Sequence, residues 1–191
     1  MLAITSGTND TDGVMNAVWD NLLPAVLGDA QPENAAAFAA LEGRLAALSL
    51  AVPEGLATSP LAAGVSGSRY VTASNAQGIS AVSLDFSGAS PVLLVEDADG
   101  PHSITVGLGE WARQRTGFKK RINELFDTPD QGLAARGAWS AEDTFVARLT
   151  FNETPYTATA TFKFEGEQVR VNMGYNVRWG AAAEAEIIGS R

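Results

Sequence analysis

Tyr156-Thr-Ala-Thr-Ala-Thr-Phe162-Lys-Phe164 is the stretch that decides the fold. Tyr156, Ala158, Ala160, Phe162 and Phe164 fall on one side of a two-residue period, with Thr157, Thr159, Thr161 and Lys163 on the other. Successive side chains of a strand point to opposite faces, so this alternation predicts a strand with one face in a core and one in water. Glu165-Gly166 then turns the chain into Val169, Val171 and Met173, which predicts a hairpin. Just upstream, Phe145, Ala147, Leu149 and Phe151 alternate with Val146, Arg148 and Thr150 in the same way.

Outward from this hairpin the period of two recurs between Gly and Pro punctuation. It predicts further strands at 69–73, 79–86, 91–96, 102–108, 120–126, 134–139 and 175–179, about ten short strands in all. Such regular spacing with one apolar face predicts an antiparallel barrel or a strongly curved sheet. Ahead of residue 52 the period is helical. Val14, Met15, Val18, Trp19, Leu22, Leu23, Val26 and Leu27 form one stripe, Asp10 to Asp12 offer cap oxygens, and Pro24 predicts a kink or stop near Leu23. A second helix is expected from Pro32, with Phe38, Leu41, Leu45 and Leu48 along one face, and Met1–Ser6 reads as a short buried strand. The fold class is therefore α+β and mainly antiparallel β: a barrel of about eight to ten strands preceded by two helices. Its division is 1–52, a strand and two helices, and 53–191, the barrel.

With 191 residues, 46% of them hydrophobic and 18% charged, the chain has ample material for a core. No apolar run approaches the roughly 20 residues of a membrane helix. The first residues have neither the basic start nor the apolar length of a signal peptide. Thirteen Lys and Arg against 22 Asp and Glu give a net charge of −9, which excludes a nucleic-acid partner bound through basic surface. Zero Cys and one His remove thiolate nucleophiles, cysteine zinc sites and poly-histidine metal centres. No cofactor is implied.

The short motifs have modest readings. Asn9-Asp-Thr-Asp-Gly13 and Asp97-Ala-Asp-Gly100 start like calcium loops but lack the closing Glu, and read as a helix cap and a hairpin turn. Gly64-Val-Ser66-Gly-Ser68 approaches a nucleophile elbow, yet it precedes a strand where the elbow follows one. Three residues before Lys119, Lys120 and Lys163 stand Thr116, Gly117 and Ala160, so no Ser-x-x-Lys pair exists. His102 is either a base or a strand-entrance surface residue. Asn9 and Asn152 match the glycosylation sequon. Arg113, Arg115, Lys119, Lys120 and Arg121 read as a solvated hairpin edge or as a docking patch for an acidic surface or an anionic ligand. Trp111, Trp139, Tyr156 and Trp179 are core fillers or the walls of a cup. If there is a cup, Trp111, Trp139, Arg148 and Tyr156 are the barrel-lining ligand contacts.

Two ordered sets of segments carry a resemblance. Leu2-Ala-Ile-Thr-Ser-Gly-Thr-Asn-Asp followed by Val14-Met-Asn-Ala-Val-Trp19-Asp-Asn-Leu-Leu-Pro24 resembles the last strand and closing helix of serine hydrolases of the β-lactamase / penicillin-binding-protein class. Ala46-Ala-Leu-Ser-Leu, Ser59-Pro-Leu-Ala, Val65-Ser-Gly-Ser-Arg-Tyr70, Asn75-Ala-Gln-Gly78, Gly107-Leu-Gly-Glu-Trp111, Gly137-Ala-Trp139 and Glu153-Thr-Pro-Tyr156 resemble the lipocalin-like accessory β-domain that follows the catalytic domain in many of them. The resemblance implies a non-catalytic C-terminal accessory domain that shapes substrate access or aids assembly. It also implies a periplasmic or secreted bacterial parent, and Met1 as an internal start or an artificial boundary. The expected partner is the parent's catalytic domain, or a second copy meeting it through the 12–28 helix. No catalytic residue is carried over, because the Ser-x-x-Lys element is missing and Tyr175-Asn176 and Thr116-Gly117 lack the spacing of the other two elements. The alternatives are a stand-alone small-ligand-binding barrel and, third, a hydrolase using an unrecognised Ser with His102.

Overall fold

The computed structural model describes residues 7–26, 32–119, 129–177 and 185–191. The chain divides into two compact units, Thr8–Ala51 and Val52–Arg191 with Gly7. The predicted strands at Met1–Ser6 and 120–126, and Trp179, lie outside the described residues.

Alternation builds the larger unit. Its strands are β1 (Tyr70–Thr72), β2 (Ala81–Asp85), β3 (Val92–Asp97), β4 (Gly100–Thr105), β5 (Gly107–Leu108), β6 (Ala112–Thr116), β7 (Gln131–Ala141), β8 (Thr144–Phe151), β9 (Thr157–Glu165), β10 (Gln168–Tyr175) and β11 (Ala185–Ser190). They form one barrel-shaped sheet in the order β4-β3-β2-β1-β11-β10-β9-β8-β7-β5, with β6 also on β7. Every pairing is antiparallel except the short β5–β7 contact. The β9–β10 hairpin turns at Gly166, whose φ of 64° is the left-handed conformation that glycine adopts without penalty. Phe164 pairs with Val169 and Phe162 with Val171, so apolar residues oppose apolar residues across the hairpin.

Two edges remain, and both are covered. The edge of β7 away from β8 is capped in succession by β6 along Gln131–Ala135, by β5 at Arg136 and Gly137, and by an isolated bridge from Leu56 to Trp139. Between β4 and β6 no backbone ladder forms; instead the side-chain amide of Gln114 binds both backbone polar groups of Thr105. Lys119 holds Asp99 of the β3–β4 turn at 2.8 Å, and the rings of His102 and Phe118 lie 5.9 Å apart across the same seam. The barrel is thus nearly closed, the last joint being made by side chains.

The core is the inner wall. Leu93, Ile104, Leu133, Phe145, Ala147, Leu149, Phe151, Ala158 and Ala160 are fully buried in one cluster that extends to Tyr70, Trp139, Phe162 and Ile187. Phe145 and Trp139 meet edge to face at 5.5 Å, and Phe86 packs on both at 5.1 and 4.9 Å. Val169, Val171 and Met173 are buried as their alternation predicts.

Several boundaries differ from expectation. The predicted 102–108 strand is two, β4 and β5, interrupted at Val106. The predicted 134–139 strand is the middle of the longer β7, and Tyr175 ends β10 where a separate strand at 175–179 was expected. Residues 113–116, expected in a solvated hairpin, form most of β6.

The smaller unit contains α1 (Thr11–Ala17), continuing as a π-turn (Val18–Leu22), and α2 (Ala35–Ala46). Asp10 caps α1 by accepting from the Gly13 N–H at 2.9 Å, and Asn34 caps α2 by accepting from Ala37 at 2.9 Å. The π-turn ends at Leu22, two residues before Pro24, which is the stop near Leu23 that the proline predicts, so the helical run is shorter than 12–28. A single helical turn, α3 (Ala62–Val65), precedes β1.

Candidate functional site

The sequence-predicted ligand contacts do not converge. Trp139 and Tyr156 are buried on the inner face, within the packed aromatic core. Trp111 is half-buried in the turn between β5 and β6. Arg148 alternates away from Ala147 and Leu149, onto the outer face of β8. Twelve inner-wall residues, from Leu93 to Val169, have no exposed surface at all, which leaves no room for a water-sized molecule beside them. Polar atoms interrupt this wall: Nε1 of Trp139 is among those buried with no hydrogen-bond partner among the described residues, as is the Tyr70 hydroxyl.

The other singled-out motifs have structural employment. Ser66 follows α3 and ties it to the end of β2, donating to the Asp85 carboxylate at 2.8 Å and accepting from the Phe86 N–H at 2.8 Å. The N–H of Ser87 and the Ser66 hydroxyl together hold the Asp85 carboxyl below its ordinary range. Asp10 is a helix cap, and Asp97 ends β3 at a hairpin turn that contains Asp99, as the modest readings expect. Nε2 of His102 lies 3.0 Å from the buried Asp97 carboxylate, which also accepts from the Asp99 N–H at 2.8 Å. A His–Asp contact of this kind orients an imidazole, but no hydroxyl bonds to His102 among the described residues.

A different cluster emerges on the outer face, one that the alternation of β6, β7 and β8 places together. Arg136 and Arg148 are direct cross-strand partners. Arg113 pairs with Ala134, one outward-facing position from Arg136 along β7. Arg113 belongs to the basic run and Arg148 to the predicted ligand contacts, whereas Arg136 escaped notice in the sequence. The signal that finds it is register: only once Gly137 is set opposite Ala147 do the two arginines become neighbours. Arg115, on the same strand as Arg113, is instead committed to Asp130 at 2.7 Å and Glu153 at 3.1 Å. Chemically the face offers guanidinium N–H groups in number, beside the hydroxyls of Thr150 and Thr159.

No known protein-family model matches this chain, and no curated protein matches it.

Proposed function

We propose that this chain is a non-catalytic accessory barrel, lipocalin-like in shape, of the kind that follows the catalytic domain of β-lactamase-class serine hydrolases. Its work is to pack beside a catalytic body, where it shapes substrate access or aids assembly. The observation that carries the reading is the small helical unit. Trp19, Leu22, Phe38, Leu41 and Leu45 are all exposed, and α1, the π-turn and α2 bury no residue. Burying a side chain of this size stabilises by about 1.5–3 kcal/mol, so the exposed apolar residues of each helix are a surface waiting for a cover. The family resemblance of 2–24 to the last strand and closing helix of a catalytic domain supplies the occupant, and the packed barrel interior supports a scaffolding role over a binding one.

The test has two arms. The coding frame upstream of Met1 is read for a Ser-x-x-Lys domain, and that domain is co-purified with this chain. Co-purification that is lost in Trp19→Glu supports the reading. A frame without such a domain sinks it, as does hydrolysis of a chromogenic ester by this chain that disappears in His102→Ala. Self-association through the helices, read by light scattering, replaces the hydrolase partner with a second copy.

One observation favours the stand-alone ligand-binding barrel as a second reading: the unpaired Nε1 of Trp139 on the inner wall. A donor left without an acceptor in a core costs about 1–3 kcal/mol, and a ligand acceptor would relieve it. The fully buried neighbours on β7, β8 and β9 weigh against the space such a ligand needs.

A further inference from the structure

The outer-face arginines are kept at a cost. Cross-strand neighbours on one face have Cβ atoms roughly 5 Å apart, and like charges placed so destabilise a sheet. Arg136 and Arg148 are such a pair. In addition, Nε of Arg148 is buried without an acceptor among the described residues. The other lysines and arginines among the described residues of the barrel unit are not treated in this way. Arg69, Arg115, Lys119, Lys163, Arg170 and Arg191 each hold a carboxylate at 2.7–3.3 Å. Arg113, Arg136 and Arg148 hold none among the described residues. Their outer-face neighbours Ala134, Ala138, Val146, Thr150 and Thr159 bring no negative charge, Asp130 and Glu153 are taken by Arg115, and Glu110, two residues ahead of β6, forms no ion pair with any of the three.

Three guanidiniums without counter-charge, in a chain of net charge −9, describe a surface lacking its anion. We infer that Arg113, Arg136 and Arg148 form a site for a phosphate group, free or carried as a monoester by a small molecule. The planar fork of arginine presents parallel N–H donors that match phosphate oxygens. A phosphate dianion, with several acceptor oxygens, answers two or three guanidiniums, where one carboxylate leaves most of the charge uncompensated. Thr159, directly across from Arg148, adds a hydroxyl to the same row. This inference stands on the arginine register alone and is independent of the accessory-domain reading.

Calorimetric titration of the full chain with inorganic phosphate and with phenyl phosphate, at constant ionic strength in chloride buffer, tests it. Saturable one-to-one binding is expected, weakened at least tenfold in Arg148→Gln and in Arg136→Gln. Arg148→Lys, which keeps the charge and loses the fork, is expected to fall between. Tighter binding of phenyl phosphate assigns the site to a monoester, and tighter binding of inorganic phosphate assigns it to the free ion. Removing one arginine relieves the like-charge contact, so Arg148→Gln is expected to unfold in chloride at the same temperature as the parent chain or a higher one. Absence of saturable heat, equal affinity in the glutamine variants, or equal affinity for malonate overturns the proposal.

Discussion

The side-chain amide of Gln114 on β6 takes both backbone polar groups of Thr105 on β4, accepting its N–H at 2.9 Å and donating to its carbonyl at 2.7 Å. One side chain thus imitates the ladder of a missing strand pair, at the place where the sheet comes round to meet itself.

Replacing that amide opens the joint. Gln114→Ala leaves the Thr105 N–H and carbonyl without these partners, and a net loss of about 1–3 kcal/mol is expected. Hydrogen exchange localises the effect: the Thr105 amide is expected to exchange faster, while amides in the middle of β8 and β9 keep their protection at matched global stability. Gln114→Glu retains an acceptor for the Thr105 N–H and loses the donor, so it is expected to protect that amide while still destabilising.

Acid sensitivity follows from carboxylates held in their charged form. The Arg170 and Lys163 side chains hold Glu165 below its ordinary range, Arg69 does the same to Glu96, and the Ser87 N–H with the Ser66 hydroxyl does so to Asp85. A carboxyl whose pKa is lower in the folded chain contributes stability that is complete above its unfolded pKa, about 4, and that drains away as pH falls through the folded value. The melting temperature is therefore expected to be level on this account from neutrality down to about pH 5 and to drop below it. Glu165→Gln is expected to flatten that drop. A drop of unchanged depth in the variant removes Glu165 from the explanation.

Trp139 lies at the centre of an aromatic group in the wall, with Phe86, Phe145 and Phe164 at ring-centroid distances of 4.9, 5.5 and 5.8 Å. Trp139→Ala is expected to cost about 3–5 kcal/mol through the cavity it leaves. Trp139→Phe keeps most of the ring contact and removes a donor that has no acceptor, so its cost is expected to be less than half of that. Urea unfolding of the two variants decides the comparison.

The exposed helical face is separable from barrel stability. Trp19→Glu and Leu22→Glu are expected to leave the unfolding transition of the β-sheet within about 0.5 kcal/mol of the parent chain, the usual range for surface positions. The same variants are expected to abolish any assembly that the helical unit makes, read by light scattering. Loss of sheet stability in either variant contradicts the separation.

What the sequence made legible was whatever one strand could say by itself. Tyr156 to Phe164 and Phe145 to Phe151 alternate strictly because each has one face in the core, and both strands lie where the alternation put them. β6 was illegible because its neighbours are unlike those of a buried strand: Arg113 and Arg115 face outward, and Gln114 serves the seam where an apolar residue would signal a core. β11 was missed for a similar reason. Ile187 is buried but Ile188 is exposed, and Gly189 lies under Tyr70, where an added Cβ would stand 2.8 Å from the Tyr70 Cβ. The Arg136–Arg148 contact depends on the register of two strands, which no local pattern encodes.

β11 also fixes when the sheet is finished. It lies between β1 and β10, with Val71 set opposite Ser190 on one side and Val169 opposite Gly189 on the other. During synthesis the hairpins of β2 to β4 and of β7 to β10 emerge as two separate sheets, each with an open flank. The strand that joins them leaves the ribosome after both, and contacts so distant in sequence form slowly. Until it arrives, the half-built wall exposes its inner aromatics to any neighbouring nascent chain, so vulnerability to misassembly is concentrated in the interval before β11 is made.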